Sequence, residues 1–481
     1  MERKYFEYYL IGIKTKKGET SMILTQNSRK ITSENAMLIY DSKTGSNLVL
    51  HDDAGEIIKM FEEGKSVYDI QQEYDVEGLN EFIDALVERR LLIEAGQVNK
   101  PFETFFNPEM LSVGGLVRHL RLNVTEKCNL DCSYCFERVS NVYAKKRNMS
   151  WEIAKESLDK FIALNIKNQS SEISIRFFGG EPLINWDLVV RCLDYNQTLI
   201  PDSIKINYIM NTNGTLLTDE IAKKLAQHGV AISLSLDGDE ESHNKTRCYL
   251  DGRGSFAEVD KRIKHLTENK CQFNLSVVCS NENFPYLRNL IDYIDRKQTE
   301  LDYGIPVNFN NIQICEKDTL DTNTVEDKVA YLVDVLEYAR EKGIYAFGGL
   351  THFVFQKFIN GYVGKYCGGT GSELSVDPDG NVFPCSGLDI QLGTIHDLNA
   401  IFKSELYQGI ANRGAGYIKQ CEGCEIEGFC AGGCLADVIS ASGSMDGDYD
   451  GCELQKHTFH ELVKSYILIS EQSEENIDSV V

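Results

Sequence analysis

The chain has 481 residues, of which 42% are hydrophobic, and a formal net charge of −24 at pH 7. The length predicts two to four domains with several apolar cores. The strong negative charge excludes nucleic acid as the main partner, because phosphate binding requires a basic surface.

The sequence has no feature of a membrane or exported protein. No run of eighteen apolar residues could form a membrane span, and the opening Met-Glu-Arg-Lys-Tyr lacks the apolar region of a signal peptide. We therefore expect a cytoplasmic protein that does not bind membranes. Its fifteen cysteines are then interpreted as metal ligands, because the cytosol keeps thiols reduced.

Residues 1–105 predict a small separate domain with strands followed by three helices, an order typical of a winged helix. The third helix is strongly acidic, which makes it a poor surface for DNA. A structural cap on the remaining chain is another interpretation. The predicted strands are 4–13, 20–24 and 46–51, and the predicted helices are 53–61, 66–74 and 77–92.

This N-terminal pattern resembles the PqqD-like peptide-recognition domain of pathways that make RiPPs (ribosomally synthesised and post-translationally modified peptides). In that family the leader of a precursor peptide adds a strand to the sheet edge beside the third helix. Strand addition uses main-chain hydrogen bonds and suits peptides of variable sequence. The resemblance implies that residues 1–105 bind the leader of a ribosomal precursor peptide.

Three cysteines follow the apolar run 120–125 with the spacing Cys128-x3-Cys132-x2-Cys135, and Phe136 comes next. Three thiolates can hold three irons of a [4Fe-4S] cube and leave the fourth iron open. Surface thiols or part of a zinc site are the alternatives. The motif resembles the signature of the radical S-adenosylmethionine (SAM) superfamily. That resemblance implies that the open iron binds SAM and that one electron cleaves SAM to a 5′-deoxyadenosyl radical.

Residues 106–343 alternate strands and helices, which predicts an α/β domain with a parallel sheet and helices outside. Six units with motifs at the carboxyl ends of strands predict a partial, TIM-like (β/α)6 barrel, open on one side. The predicted strands are 119–125, 173–178, 205–211, 231–237, 272–279 and 307–314, and the predicted helices are 151–167, 186–198, 218–228, 257–268, 284–296 and 324–343.

Two of the loops after these strands carry short motifs. Gly179-Gly180-Glu181-Pro182 resembles the family motif that binds the amino group of SAM, and its glycines allow a close backbone approach. Thr212 and Asn213 of the next loop, Asn-Thr-Asn-Gly, are predicted to contact the SAM ribose. A plain turn is the alternative for that loop.

A third motif combines Ser235 with Arg247, twelve residues further on. The pair resembles anaerobic sulfatase-maturating enzymes, which implies that both contact SAM and that Arg247 binds its carboxylate. A surface ion pair is the alternative for Arg247. Tyr134 matches the aromatic residue whose backbone contacts adenine. His243 is interpreted as a capping or surface residue, so the catalytic acid or base is unknown.

Cysteines return in residues 344–460 in a fixed order around Gly380. This order resembles the SPASM extension of radical SAM peptide-modifying enzymes, which implies two auxiliary [4Fe-4S] clusters beside the SAM-binding one. A zinc ribbon is the alternative for the dense block between 421 and 434. By position, one set comprises Cys421, Cys424, Cys430 and Cys452, and the other comprises Cys367, Cys385 and Cys434.

Two positions depart from the sulfatase-maturating pattern. Gly361 stands where those enzymes have a fourth cluster ligand, and Ser386 replaces the aspartate proposed as their base. Either a distant thiol such as Cys315 completes the three-cysteine set, or one iron stays open and could bind a substrate cysteine. Both departures favour thioether formation over formylglycine formation.

The resemblance as a whole predicts a RiPP maturase that forms a bond from a cysteine sulfur to carbon, as sactipeptide and ranthipeptide synthases do. Its electrons would come from an external donor such as flavodoxin or ferredoxin. The alternatives are a carbon–carbon crosslink (Lys–Trp or an aromatic cyclophane), a sulfatase-maturating enzyme, and a non-catalytic winged-helix redox sensor. Residues 461–481 predict an acidic, partly disordered tail.

Overall fold

The computed structural model describes residues 22–33, 36–51, 54–73, 78–97, 107–135, 146–201, 203–311, 324–348, 357, 364–449 and 451–472. The strand predicted at 4–13 lies outside the described residues, as do Phe136, Cys315 and Gly361. In this part of the chain, no helix is long and apolar enough to cross a membrane.

The N-terminal unit consists of an antiparallel sheet with the order β2-β3-β4, a short β1–β5 pair and three helices. The helices lie where the sequence predicted them, whereas β2, β3 and β5 were not predicted. The strands are β1 (Met22–Leu24), β2 (Ser28–Thr32), β3 (Ala36–Asp41), β4 (Asn47–His51) and β5 (Leu92–Glu94), and the helices are α1 (Ala54–Glu62), α2 (Val67–Glu73) and α3 (Leu79–Glu88).

The described residues in the middle of the chain form seven parallel strands in sequential order, with helices between them. The strands are β6 (His119–Thr125), β7 (Glu172–Gly179), β8 (Lys205–Thr212), β9 (Ala231–Ser235), β10 (Phe273–Cys279), β11 (Val307–Asn311) and β12 (Ala346–Gly348). The helices are α4 (Pro108–Ser112), α5 (Trp151–Lys167), α6 (Trp186–Leu199), α7 (Asp219–Gln227), α8 (Glu240–Thr246), α9 (Phe256–Glu268), α10 (Leu287–Leu301) and α11 (Val325–Glu341).

The C-terminal part continues the same sheet. Strand β13 pairs parallel with β6, and two antiparallel strands follow, so the sheet is open and mixed, a partial barrel. Its elements are β13 (Glu373–Val376), β14 (Asn381–Phe383), β15 (Gly393–Thr394), α12 (Leu398–Lys403), α13 (Glu405–Asn412), α14 (Glu427–Cys430), α15 (Leu435–Ser442) and α16 (Cys452–Gln472).

The structure differs from three sequence predictions in this region. The six-strand barrel gains a seventh parallel strand, β12, beyond the predicted boundary at 343. Strand β13 joins the barrel sheet although it belongs to the predicted C-terminal domain. The tail predicted from 461 is helical up to Gln472, and its Leu462 and Val463 are buried. In each case the deciding contact comes from a distant segment of the chain.

The parallel strands separate an apolar core from a polar inner face. Leu120, Leu122 and Val124 of β6 are buried in the main core. Because side chains alternate along a strand, Arg121 and Asn123 lie on the other face. There Arg121 pairs with Glu373 of β13 at 2.9 Å, and Asn123 donates to Ser375 at 3.2 Å. The inner face of the barrel is therefore polar.

The N-terminal sheet packs directly on the C-terminal cysteine block. Tyr40 of β3 is fully buried, with its ring 6.0 Å from that of Phe429 and 5.5 Å from that of Phe459 in α16. The other face of β3 packs on the N-terminal helices through Ile39. Both faces of β3 are thus covered, which removes the apolar–polar alternation of a half-buried strand.

Gly428 of α14 makes this contact possible. Its N–H donates to the Ser42 carbonyl at 2.6 Å, and a Cβ at this position would lie only 2.4 Å from the Lys43 carbonyl oxygen. The backbones of two distant segments therefore touch at a position that only glycine can occupy without a shift.

We expect Gly428→Ala to lower the free energy of unfolding by about 1–3 kcal/mol, because the added methyl group must push the two backbones apart. Urea unfolding followed by circular dichroism measures the change. Gly304→Ala is the matched control, since a Cβ there meets no heavy atom within 4 Å. Equal stability of Gly428→Ala and Gly304→Ala would contradict the close packing.

Candidate active site and cluster sites

Cys128, Cys132 and Cys135 lie in one loop directly after β6, and the segment that follows α8 holds this loop in place. The N–H of Asp131 donates to the Cys248 carbonyl at 2.7 Å, and the N–H of Ser133 donates to the Thr246 carbonyl at 3.0 Å. The cysteine loop is thus fixed by backbone bonds to a segment more than a hundred residues away in the chain.

Gly179 and Gly180 bring the end of β7 against the start of the same loop. The N–H of Gly180 donates to the Thr125 carbonyl at 2.9 Å. A Cβ at Gly179 would lie 2.1 Å from that carbonyl oxygen, and a Cβ at Gly180 would lie 2.4 Å from the Lys127 oxygen. In this structure the glycines therefore permit contact between two protein backbones.

Glu181 is the buried centre of this contact. Its carboxylate accepts from the Thr212 hydroxyl at 2.7 Å, the Asn213 N–H at 2.7 Å and the Leu183 N–H at 3.0 Å. Burial raises the pKa of Glu181, although these three bonds act in the opposite direction. Glu181 thereby ties the loop after β7 to the loop after β8.

Asn213 links Glu181 to the cysteine loop. Its side-chain N–H donates to Asn129 Oδ1 at 3.0 Å and lies 3.8 Å from Cys128 Sγ. Asn129 in turn donates to the Thr215 hydroxyl at 2.8 Å. The loop predicted to contact ribose thus also positions the cysteine loop.

A second buried carboxylate, Asp237, contacts the later part of the cysteine loop through Tyr134. It accepts from Arg247 Nε at 2.9 Å, the Thr246 hydroxyl at 3.0 Å and the Tyr134 hydroxyl. Burial acts to raise the pKa of Asp237, but the positive charge of Arg247 and the hydrogen bonds outweigh it, so that this pKa is lowered.

Arg247 is 8% exposed, so the alternative of a surface ion pair is wrong. While Nε binds Asp237, NH1 lies 4.0 Å from Cys132 Sγ. The guanidinium group therefore connects a buried carboxylate to the cysteine loop. Sequence reasoning named Arg247 but missed Asp237 as a site residue, although it follows β9 directly.

His243 and Ser235 differ in how deeply they are buried. His243 is fully buried, where Nδ1 accepts from the Asp237 N–H at 3.2 Å and Nε2 lies 2.9 Å from the Ser255 hydroxyl. Burial lowers the pKa of His243 to about 4, so it is neutral near pH 7. It lies inside α8, whose N-cap is Asp239, so it is neither a helix cap nor a surface residue. Ser235 is half-buried at the carboxyl end of β9.

The C-terminal cysteines lie in two groups. A Cβ at Gly369 would lie 3.5 Å from Cys367 Sγ and 3.7 Å from Cys385 Sγ, so these two thiols are neighbours. Burial raises the pKa of Cys434, and Cys367 and Cys385 are among the groups that raise it further. These three cysteines form the first group.

The second group surrounds the buried Cys430. Burial raises its pKa to about 12, and Cys421, Cys452 and Cys424 raise it further, whereas Lys357 lowers it. The division of the seven C-terminal cysteines into two cluster sets stays a prediction from the sequence order.

Across the described ranges, one trio of possible ligands has all its donor atoms within 4.8 Å of one another. It comprises Asp219, His265 and Glu268, of which Asp219 and Glu268 are exposed, and it contains no cysteine.

We expect Asp237→Asn to cost about 3–5 kcal/mol of stability, because it leaves Arg247 buried without its counter-charge. The control Asp251→Asn removes an exposed partner of Arg253 and should leave stability nearly unchanged. Thermal and urea unfolding compare the two. Because the pKa of Asp237 is lowered, its stabilisation is present at neutral pH and is lost only when the pH falls below about 4. Equal stability of both variants at pH 7 would contradict this account.

Comparison with known proteins matches two parts of the chain to families. Residues 122–294 match the Radical SAM superfamily, and residues 367–425 match the SPASM iron–sulfur cluster-binding domain. The chain is 28% identical over 457 residues to the radical SAM cyclopropyl synthase TigE of Paramaledivibacter caminithermalis, covering 90% of this chain and 93% of that protein.

Two further similarities concern sulfatase-maturating enzymes. The cysteine-type anaerobic sulfatase-maturating enzyme of Clostridium perfringens is 25% identical over 341 residues, or 64% of this chain and 85% of that protein. The fold matches native anSMEcpe with bound AdoMet and Cp18Cys peptide at a TM-score of 0.59 and 18% identity, covering 73% of this chain and 98% of that one. The chain is therefore an enzyme with a radical SAM domain and a SPASM domain, and it uses [4Fe-4S] clusters and SAM.

Proposed function

We propose that this enzyme modifies a ribosomally synthesised precursor peptide by closing a carbon–carbon bond within it. The observation that carries the choice of bond is the similarity to a cyclopropyl synthase over 93% of that protein. Formation of a cyclopropane ring is a carbon–carbon bond formation. The sequence favoured a thioether, with a carbon–carbon crosslink as the alternative, and this similarity favours the alternative.

We assign the ten motif cysteines as cluster ligands. Cys128, Cys132 and Cys135 would hold the SAM-binding cluster, and the two C-terminal groups would hold auxiliary clusters. When bound, the barrel cluster and SAM supply a 5′-deoxyadenosyl radical, and the auxiliary clusters supply an acceptor for one electron. Ring closure would remove two hydrogens from the peptide. The 5′-deoxyadenosyl radical would take one as an atom and become 5′-deoxyadenosine, and the other would leave as a proton while its electron passes to an auxiliary cluster.

The loops around Cys128–Cys135 suit the binding of SAM. Arg247 NH1 points to the cysteine side while Nε is held by Asp237, so its free N–H groups could bind the SAM carboxylate. The other proposed SAM contacts lie on the same loops and are Tyr134, Gly179, Gly180, Glu181, Thr212, Asn213 and Ser235.

The polar inner face of the barrel suits a peptide. Arg176 donates to Asn211 at 2.7 Å, and Asn310 donates to Ser276 at 3.0 Å. Side-chain amides and hydroxyls of this kind can exchange these bonds for bonds to a peptide backbone. Arg121, held by Glu373, lies where β13 meets the barrel. The structural neighbour anSMEcpe has a bound peptide, and this similarity supports a peptide substrate for the present enzyme.

The N-terminal unit is proposed to bind the leader of the precursor. Within the described part of the unit, β4 pairs on one side only, so its other edge could receive an extended strand. Arg89, just after α3, donates to the Asn47 carbonyl of β4 at 3.0 Å. This contact between the end of α3 and β4 supports the proposal.

Thioether formation is the second candidate, and one observation favours it. Only three cysteines, Cys367, Cys385 and Cys434, are assigned to this set by position, and Gly361 stands where sulfatase-maturating enzymes have a fourth ligand. A three-thiolate cluster could leave an iron open to a substrate cysteine.

The two candidates give the same mass change but different thiol chemistry. We expect the reconstituted enzyme, with SAM and reductant, to convert the precursor encoded beside its gene to a product lighter by two hydrogens. Iodoacetamide should still alkylate every precursor cysteine after carbon–carbon bond formation. One cysteine that becomes resistant to alkylation would show a thioether, and an aldehyde at a cysteine or serine would show formylglycine formation.

Iron content tests the cluster assignment. We expect about 12 irons per chain after anaerobic reconstitution and about 8 in the Cys128/Cys132/Cys135→Ala variant, because each cube holds four irons. Iron and acid-labile sulfide are measured together. About 4 irons that fall to none, with zinc present, would contradict the auxiliary clusters and leave a simple radical SAM site.

The leader proposal is tested without changing the enzyme, because deletion of residues 1–105 would also uncover the cysteine block beneath β3. A precursor that lacks its leader should show a raised KM with little change in kcat, since the leader contributes binding and not chemistry. The leader, added as a separate peptide, should competitively inhibit modification of the full precursor. Equal KM for both precursors would contradict leader binding.

A further inference from the structure

Arg413 carries a buried positive charge without a carboxylate partner. The residue follows α13 and is 7% exposed. Its NH1 donates to the Met445 carbonyl at 2.7 Å and its NH2 to the Gly432 carbonyl at 2.6 Å. Across the described residues, Nε has no hydrogen-bond partner and no acidic side chain forms an ion pair with the guanidinium.

Such a group requires a compensating negative charge. Arginine stays protonated in proteins, and a buried charge is costly unless it is paired. Burial lowers the pKa of Arg413, and its largest charge interaction is with Cys421, followed by Asp446, Cys430 and Cys434. Arg413 NH2 also binds the carbonyl of Gly432. Gly432 lies in the chain between Cys430 of the four-cysteine group and Cys434 of the three-cysteine group, so Arg413 contacts the backbone that joins the two groups.

The cysteine block is shaped to admit this side chain. Gly432 lies between Cys430 and Cys434, with φ +84°. A Cβ there would lie 3.1 Å from Arg413 NH2 and 2.1 Å from Ile418. The glycine therefore leaves space for the guanidinium group beside the cysteines.

Lys357 is a second buried cation in the same region, with 6% exposure. Its Nζ donates to the Phe429 carbonyl at 3.0 Å and lies 3.3 Å from the Tyr366 carbonyl. These carbonyls directly precede Cys430 and Cys367, one from each cysteine group. Lys357 thus bridges the two groups as Arg413 does.

We propose that Arg413 and Lys357 are shared counter-ions of the two auxiliary clusters and raise their reduction potentials. Thiolate-ligated clusters are anionic, and their potential depends on net charge, on hydrogen bonds and on exposure to solvent. A fixed cation between two clusters stabilises the reduced form of each, and so makes each a better acceptor for an electron. The inference rests on the cysteine assignment and not on the identity of the peptide.

Arg413→Gln and Arg413→Lys form the test, because the first removes the charge and the second keeps it. Both are prepared as full-length, reconstituted enzyme, and midpoint potentials are measured by redox titration followed by EPR. The Cys128/Cys132/Cys135→Ala variant identifies the signals of the auxiliary clusters. We expect a more negative auxiliary potential in Arg413→Gln and a potential near wild type in Arg413→Lys.

Lys357→Met provides the second measurement in case Arg413→Gln folds poorly, and it should also shift an auxiliary potential to more negative values. Its control is Lys160→Met on α5. This lysine also donates to two carbonyls, those of Ile395 at 3.0 Å and His396 at 2.6 Å, but neither residue precedes a cysteine. Unchanged auxiliary potentials in both Arg413→Gln and Lys357→Met would overturn the inference. So would equal shifts in Arg413→Gln and Arg413→Lys, whereas two auxiliary clusters missing from iron analysis would refute the cysteine assignment itself.

Discussion

The geometry of the barrel site depends on two fully buried carboxylates, Glu181 and Asp237, which are linked to the start and to the end of the cysteine loop. Glu181 binds the loop after β8 through Thr212 and the Asn213 N–H, and Asp237 binds Arg247 and Tyr134. Buried carboxylates are stable only when fully hydrogen-bonded or paired. Each therefore requires its partners in one arrangement, and that arrangement sets where Cys128–Cys135 lie.

The sheet extends this constraint to the C-terminal cysteines. Because β13 pairs in parallel with β6, the hairpin that ends near Cys385 is attached to the strand that leads into the Cys128 loop. The Arg121–Glu373 pair crosses the same β6–β13 boundary. The barrel and the SPASM domain thus share one sheet, and a shift of one would displace the other.

The N-terminal unit packs against the four-cysteine group. Tyr40, Phe429 and Phe459 form one apolar cluster beneath the four-cysteine group, and Gly428 lets the two backbones touch. The proposed leader-binding sheet is therefore also a wall of a proposed cluster site. Arg413 and Lys357 lie within that enclosed region, where a charge acts strongly because water is excluded.

Local patterns in the sequence determined much of the chemistry and the element order. The cysteine spacings are read directly from the sequence, and the limits of β6 and α5 were predicted correctly, because each depends on residues close in the chain. Only the tertiary structure decided the burial of β3 on both faces, the pairing of β13 with β6, and the partners of Asp237 and Arg413. Strand pairing and the compensation of buried charge depend on contacts between distant segments, which periodicity over a few residues cannot reveal.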